Sequence, residues 1–498
     1  MLQRKLASIE EWRSKSKPLP KGSAPFTSAS NFKLPHPVGK PNSRDLSHLF
    51  SNESRSRQSS TLKAAAATAL SREDMITLGT ARPSPEYFPW TSLILYGGGD
   101  TTFCGVNEEA YDLSIAMNYG YAAGSPQLLR YVTEHVELVH DPPYADWETC
   151  LTCGTSSALD ILLRIFCDRS DWVIAEEYTY SGAKDVITAH GLRVLGIGMD
   201  DCGLVPDELD RKLKEWDANL GRKPFLLYMI PTGHNPTGIT QPLERRNKIY
   251  EVAERHDLYI IEDDPYYYLQ LGSTSMTPKH PTPNASTAEE YLARLPQSYL
   301  SIDTSGRVVR LDSTAKIVAP GLRLGWLTAS PQTVQRFLAY SELSVLAPSG
   351  PSQIMAFKLL EESWGHRGFI DWLFHLSGEY SRRRDSLRAA CERHLPSKVC
   401  QWKTPSAGMF LWIRLNNVKN PEAKVLECGD DQSLTSLLDM EDRIYTGARE
   451  LGVLISKGTW FASNSDRTGD LCFRLTFAAA AHGDLEVAVE RFAKAVNA

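Results

Sequence analysis

The 498-residue chain has no apolar run approaching the roughly 20 residues that cross a bilayer, so no membrane span is expected. Its first apolar stretch is broken by Glu10, Glu11 and Arg13, which argues against a secretory signal peptide. Charge of one sign is not in excess. Lys and Arg number 54 against 60 Asp and Glu, a formal charge of −6, so a phosphate backbone or an anionic lipid surface finds no global attraction and no nucleic acid partner is expected. Cysteine is sparse: nine residues form no dense framework, and an odd number cannot pair fully within one chain, which fits a reducing compartment. Cys150 and Cys153 make one CxxC, but no second CxxC or His pair follows at zinc-ligand spacing. That pair is read as a strand end, and no metal is expected. Repeats at solenoid or propeller periods are absent as well.

What is present is the composition of an ordinary globular enzyme subunit, 42% hydrophobic and 23% charged, long enough for two or three compact units. Residues 1 to 44 carry nine Lys or Arg against two Glu and no sustained apolar period, so they are read as poorly ordered or draped over the body. A mitochondrial presequence is the lesser reading, since transit peptides avoid acidic residues, and a cytoplasmic location is expected.

From about 150 to 330, short β-rich runs alternate with helical patterns, the mark of a mostly parallel sheet with helical crossovers. The strand candidates are Trp172 to Glu177, Leu192 to Ile197, Phe225 to Ile230, Leu258 to Glu262 and Val308 to Leu311. Between them, Ile249, Val252, Ala253 and His256 form the stripe of a helix over 241 to 256. Residues 272 to 298, rich in Pro, Ser and Thr, read as a surface excursion, and the glycosylation-type triplet Asn284-Ala285-Ser286 within it as a polar loop. Beyond 350 a long helical region is followed by strand-like Gly408 to Arg414, Val453 to Ser456 and Leu471 to Phe477. A closing helix places Leu485, Ala488, Val489, Phe492, Ala493 and Val496 on one face, giving a second, smaller α+β domain.

Four segments carry chemistry. In Asp312-Ser313-Thr314-Ala315-Lys316, directly after the strand RVVRL, a lysine just beyond a core strand is placed to be held desolvated and rigid, which lowers its pKa and suits it to Schiff-base formation. Alone it reads equally well as a surface lysine on a loop. Gly233-His234-Asn235-Pro236-Thr237-Gly238 makes a tight turn that puts an amide at a sheet edge, where ligands of open α/β sheets collect. IIEDDPYYY (260 to 268) ends a strand in carboxylates and tyrosines, with Asp264 and Tyr267 spaced to face one ligand ring. Cys153-Gly154-Thr155-Ser156-Ser157 opens a helix with glycine and hydroxyls, an arrangement that receives a phosphate but is also a plain N-cap signal.

Together and in this order, the four segments resemble those of fold-type I pyridoxal-phosphate aminotransferases, in particular the fungal aromatic amino acid enzymes related to kynurenine and 2-aminoadipate aminotransferases. Further signatures are DLSHLF (45 to 50), SRQSSTLK (56 to 63), EYFPW (86 to 90), NYGYAAGSPQLL (118 to 129) and PSAGMFLWI (405 to 413). The resemblance runs from about 45 to 498, and EEWRSKSKPLP matches the N-terminal extension of longer fungal members. It implies an α/β fold with a large, mostly parallel sheet flanked by helices on both faces and a smaller α+β domain. The expected division is an extension over 1–44, a segment over 45–100 contributing to the small domain and dimer contacts, a large cofactor domain over 101–345 and a small domain over 346–498.

The resemblance also implies roles. Lys316 would hold pyridoxal 5′-phosphate as a Schiff base and move the substrate proton, and Asp264 would pair with the pyridine nitrogen. Asn235 and Tyr267 would hydrogen-bond the phenolic oxygen, and Tyr180 would stack on the ring. Thr155, Ser156, Ser313 and Arg323 would hold the phosphate. Tyr119 would reach a phosphate across the interface of a homodimer, and Arg474, in LCFRLTF, would grip the substrate α-carboxylate. The expected reaction moves an amino group from an aromatic or related amino acid to a 2-oxo acid such as 2-oxoglutarate. The alternative is a lyase on the same scaffold, performing β-elimination or carbon–sulfur lysis. A regulator with an aminotransferase-like domain is disfavoured, because the first 60 residues are too short and polar for a winged helix.

Two departures stand out. Ala315 occupies a position where relatives carry a second serine, removing one phosphate contact. Leu78-Gly79-Thr80-Ala81-Arg82-Pro83 replaces a glycine run, so Ala81 and Arg82 are candidates for substrate contact and altered specificity.

Overall fold

The computed structural model describes residues 2–19, 24–35, 39–57, 81–272, 287–416, 430–463 and 471–497, the side chains of 430–436 excepted. Leu78 to Thr80, residues 58–63 of SRQSSTLK, most of the 272–298 excursion with its Asn284 triplet, and Cys428 lie outside the described residues. The chain divides into two compact units, each assembled from three segments: 1–171 with 253–265 and 287–372, and 172–252 with 266–286 and 373–498.

The first unit contains the strands Glu148–Thr152, Gly325–Ala329, Val308–Ser313 and Tyr259–Asp263, in that spatial order. Tyr259–Asp263 and Val308–Ser313 run parallel, whereas Gly325–Ala329 is antiparallel to both of its neighbours. Nearly every position on these strands is buried, as expected where helices cover both faces. Thr155–Phe166 buries Ala158, Leu159, Leu162, Leu163 and Phe166. Pro126–Val139 starts with Pro126 in its first turn behind Ser125, whose hydroxyl accepts the Leu128 N–H. Cys150 lies in its strand and Cys153 just beyond it, and the cysteines among the described residues are all free thiols. No metal-binding cluster of His, Cys, Asp or Glu occurs among the described residues, and none of their helices is long and apolar enough to cross a membrane.

Within the N-terminal 44 residues the structure forms a helix, Leu2–Lys15. The basic composition of this stretch finds its partners on the body. Arg13 Nε donates to Glu134 Oε1 at 2.7 Å and its Nη1 to Glu361 Oε1 at 2.7 Å. Lys33 Nζ donates to the carbonyls of Ala145 and Trp147, both at 2.8 Å, and the Leu34 N–H reaches Glu137 Oε1 at 3.0 Å. Burial pushes the Glu137 carboxyl up from 4.5 to about 7. A carboxyl raised in the folded state binds its proton more tightly there than in the unfolded chain. Its contribution to stability is therefore full below pH 4.5 and lost as the pH rises to about 7. Glu137→Gln, which keeps the neutral form, is expected to flatten the thermal midpoint across this window and to stabilise the protein at pH 8 by about 2–3 kcal/mol. An unchanged pH profile would contradict it.

The second unit holds three parallel strands, with Trp172–Glu176 between Leu226–Met229 and Arg193–Ile197. It also holds a four-stranded antiparallel sheet, ordered Cys400–Gln401, Phe410–Leu415, Leu471–Thr476, Ser456–Lys457. Alternation along this sheet sends Leu411, Ile413, Phe473 and Leu475 into a core with Ile444, Ala448, Leu485, Val489 and Phe492. Phe473 and Phe492 meet edge to face at 5.6 Å. The other face carries Phe410, Trp412, Arg474 and Ser456, since Trp412 and Ser456 both lie opposite Arg474 in register. Of the expected strand over 453 to 456 only Ser456 lies in a strand, the two-residue Ser456–Lys457, which pairs with Arg474 and Phe473.

Candidate functional site

In the first unit three strand ends lie side by side: Ser313 opposes Gly325, and Gly325 opposes Thr152. Every loop that leaves these ends carries a residue singled out from the sequence. After Ser313 the chain makes a tight turn over Thr314–Lys316, in which the Ser313 hydroxyl accepts the Ala315 N–H at 3.1 Å. Thr314 ties the turn to Leu324, its N–H and Oγ1 donating to that carbonyl at 3.1 and 2.8 Å. Trp372 Nε1 donates to the Ile317 carbonyl at 2.7 Å. Lys316 is thus a half-buried side chain on a backbone fixed at both ends.

Arg323, exposed and in the left-handed region at φ 47°, leads into Gly325–Ala329, with its Nη1 donating to the Pro320 carbonyl at 2.9 Å. Its guanidinium lies over Gly154, which has φ 91° and precedes Thr155–Phe166. A Cβ on Gly154 would stand 2.6 Å from Arg323 Nη2, so only glycine lets the guanidinium approach the start of this helix. Its N-cap residue, Gly154, has no side chain with which to cap it, so the helix opens beside a cation, with Thr155 and Ser156 in its first turn. This cradle fits a phosphate. Asp264, 1% exposed, follows Tyr259–Asp263, its N–H donating to Leu311 O at 3.2 Å and its Oδ2 lying 3.3 Å from Arg310 Nη1. A buried carboxylate of this kind fits the protonated nitrogen of a heteroaromatic ring.

Tyr119 is 53% exposed in the same unit. Ala81 is exposed and Arg82 partly buried, and burial lowers the Arg82 pKa. Arg82 is therefore not the fully solvated residue that a surface loop would make it.

In the second unit Arg474 is bound to one of the remaining candidates, Asn235. Its Nη1 donates to Asn235 Oδ1 at 2.7 Å and its Nη2 to Ser456 Oγ at 3.2 Å. Phe410 and Phe461 lie 4.6 and 4.7 Å from the guanidinium carbon. Burial lowers the Arg474 pKa, opposed by the hydroxyls of Tyr266 and Tyr180. Its buried Nε has no hydrogen-bond partner among the described residues, a donor suited to an incoming carboxylate. Tyr180 is half-buried at the start of Ser181–Ala189. Asn235 is held by its turn, where His234 N–H donates to Ile239 O at 2.8 Å and Gly238 N–H to His234 O at 2.7 Å. The buried His234 anchors that turn through Thr237 Oγ1 at 2.8 Å and Glu176 Oε2 at 2.9 Å. Gly233 and Gly408 touch backbone to backbone: a Cβ on Gly233 would lie 2.5 Å from the Gly408 Cα. Tyr267 is 1% exposed and packs edge to face on Tyr268.

Lys316, Ser313, Arg323, Thr155, Ser156 and Asp264 thus belong to one unit, and Arg474, Asn235, Tyr180 and Tyr267 to the other. Phe410, Phe461, Ser456, His234 and Arg310 were missed. Phe410 and His234 lie inside quoted motifs, but only pairing and packing reveal what they touch.

The model of the class I and II aminotransferase family matches residues 104–492. The chain is 46% identical over 457 residues to the aminotransferase swnA of Arthroderma benhamiae, covering 90% of this chain and 91% of that one. It is 37% identical over 470 residues to an aromatic amino acid aminotransferase of Schizosaccharomyces pombe, covering 90% and 97%. The crystal structure of the aminotransferase Aro8 from Candida albicans superposes with a TM-score of 0.83 at 34% identity, covering 92% of this chain and 99% of that one.

Proposed function

Because the chain belongs to the class I and II aminotransferase family, we propose that it moves the amino group of an aromatic or related amino acid to a 2-oxo acid such as 2-oxoglutarate, with pyridoxal 5′-phosphate as cofactor. The observation that carries this reading is the uncapped helix start under Arg323, on strand ends shared with the Lys316 turn and in the same unit as the buried Asp264. The donor class is supported by the name of the Schizosaccharomyces relative.

When bound, the cofactor draws into its ring the electron pair left as the substrate α-carbon loses its proton. Lys316 Nζ is the amine that would bond the cofactor aldehyde and, once the substrate's amino group has displaced it, carry the proton to and from that carbon. Asp264 would hold the ring-nitrogen proton, while Arg323, Ser313, Thr155, Ser156 and the helix amides anchor the phosphate. Arg474 would present its fork to the α-carboxylate, and Asn235, which already holds Arg474 Nη1, would reach the cofactor's phenolic oxygen. Tyr267 would share that oxygen, and Tyr180 would cover the ring face.

The test is a screen of amino donors against purified protein, following the visible absorbance of the bound cofactor. Aromatic donors alone should bleach it and release the matching 2-oxo acid, and 2-oxoglutarate should restore it. Released thiol or pyruvate would instead identify a lyase.

Homodimer formation belongs to the same proposal. On the hairpin Ser92–Gly97 and Asp100–Gly105, Ile94, Tyr96 and Phe103 are 60%, 82% and 57% exposed, a large apolar surface for a lone chain. The double variant Ile94→Asp, Phe103→Asp is expected to sediment as a monomer where the unaltered protein sediments as a dimer. A dimer retained in the variant would move the interface elsewhere.

A further inference from the structure

Strands Tyr259–Asp263 and Val308–Ser313 pair in parallel with Arg310 directly opposite Glu262. Side chains alternate along a strand, so Glu262 and Asp264 share a face with Arg310 and Asp312. Their charged ends meet. Arg310 Nε and Nη2 donate to the two oxygens of Asp312 at 2.9 and 2.8 Å. Its Nη1 stands 3.1 Å from Glu262 Oε1 and 3.3 Å from Asp264 Oδ2. Glu262 is held in turn by the N–H groups of Tyr299 and Leu300, at 2.8 and 3.2 Å. Arg310 and Glu262 are fully buried, and Asp264 and Asp312 are each 1% exposed.

A buried carboxylate needs a countercharge, and Arg310 supplies one whose direction is fixed by its two-pronged hold on Asp312. The same guanidinium also meets Glu262 and Asp264. Of the three carboxylates, Asp264 accepts the longest contact from Arg310 and stands just past the strand end. Burial pushes the Asp312 carboxyl up, and the Arg310 guanidinium opposes that rise.

We propose that Arg310, itself held two-pronged by Asp312, is a positioning residue that fixes the Asp264 carboxylate for the cofactor's ring nitrogen. The proposal rests on the assignment of Asp264 to the cofactor's pyridine nitrogen. Arg310 itself touches neither substrate nor cofactor in this scheme.

The test titrates the full-length protein, freed of cofactor, with pyridoxal 5′-phosphate and with its 1-deaza analogue, in which C–H replaces the ring nitrogen. Tryptophan fluorescence gives both dissociation constants, and circular dichroism checks the fold. The unaltered protein should prefer the nitrogen compound, and Asp264→Asn should abolish the preference. Arg310→Lys, which keeps a charge but loses the fork, should lower the preference about tenfold, and Asp312→Asn about threefold. Equal weakening of both compounds would leave the ratio unchanged, show a merely structural Arg310 and overturn the proposal. If Arg310→Lys does not fold, Asp312→Asn decides on the same ratio. Absence of any preference in the unaltered protein would overturn the Asp264 assignment and this proposal with it, whereas a preference lost only in Asp264→Asn would overturn Arg310 alone.

Discussion

Lys316→Ala is expected to lower the rate of amino transfer by about 10⁴-fold or more while the turn that carries it keeps its form. The asymmetry follows from how the turn is built. Its hydrogen bonds come from Ser313, Thr314, Trp372 and main-chain groups, none of which the substitution removes. What is lost is the amine. Borohydride reduction followed by peptide mass analysis gives a readout independent of rate: the cofactor's mass should appear on the peptide containing Lys316 and on no peptide of the variant. A variant within tenfold of the unaltered rate, or a label on another lysine, would refute the assignment.

Arg474→Lys is expected to reduce kcat/KM by about 10- to 100-fold for every amino donor alike. The guanidinium plane is set by Asn235 and Ser456 at its edge and by Phe410 and Phe461 against it. A lysine ammonium keeps the charge but has neither the planar fork nor the flat surface that the rings pack against. Because every donor has an α-carboxylate, the loss should be uniform and fall mainly on KM. A loss confined to one class of side chain would mean that Arg474 reads the side chain instead. Arg474→Ala should cost more, since Asn235 Oδ1 then loses a charged donor in a buried setting.

Much of this was readable in the sequence, because strand ends carry both a periodicity signal and a motif. Val308–Ser313, Tyr259–Asp263 and Leu226–Met229 fall within two residues of expectation, and the loops beyond them hold Lys316, Asp264 and Asn235. The strand Gly325–Ala329 went unread, and Glu148–Thr152 showed only as the strand end at Cys150 and Cys153: each is five residues long, partly polar, and paired antiparallel with the other across nearly 180 residues. The N-terminal helix was illegible for a related reason. Its apolar pattern is weak, and its anchors, Glu134 and Glu361, lie over a hundred residues away. Arg310 shows the same limit within the site. An arginine in an apolar strand suggests an outward-facing edge, and only the register with Glu262 shows it fully buried among carboxylates.

The contact between Gly233 and Gly408 bears on how such a protein could acquire new substrates. Neither position admits even a methyl group, so the main chain itself fixes the gap between the Asn235 turn and the Phe410 strand. Exchange of the aromatic ring at Phe410 can therefore reshape the space beside Arg474 while the amide two residues past Gly233 keeps its place. Laboratory selection for altered donors would accordingly do best to randomise Phe410 and Phe461 and to leave both glycines invariant.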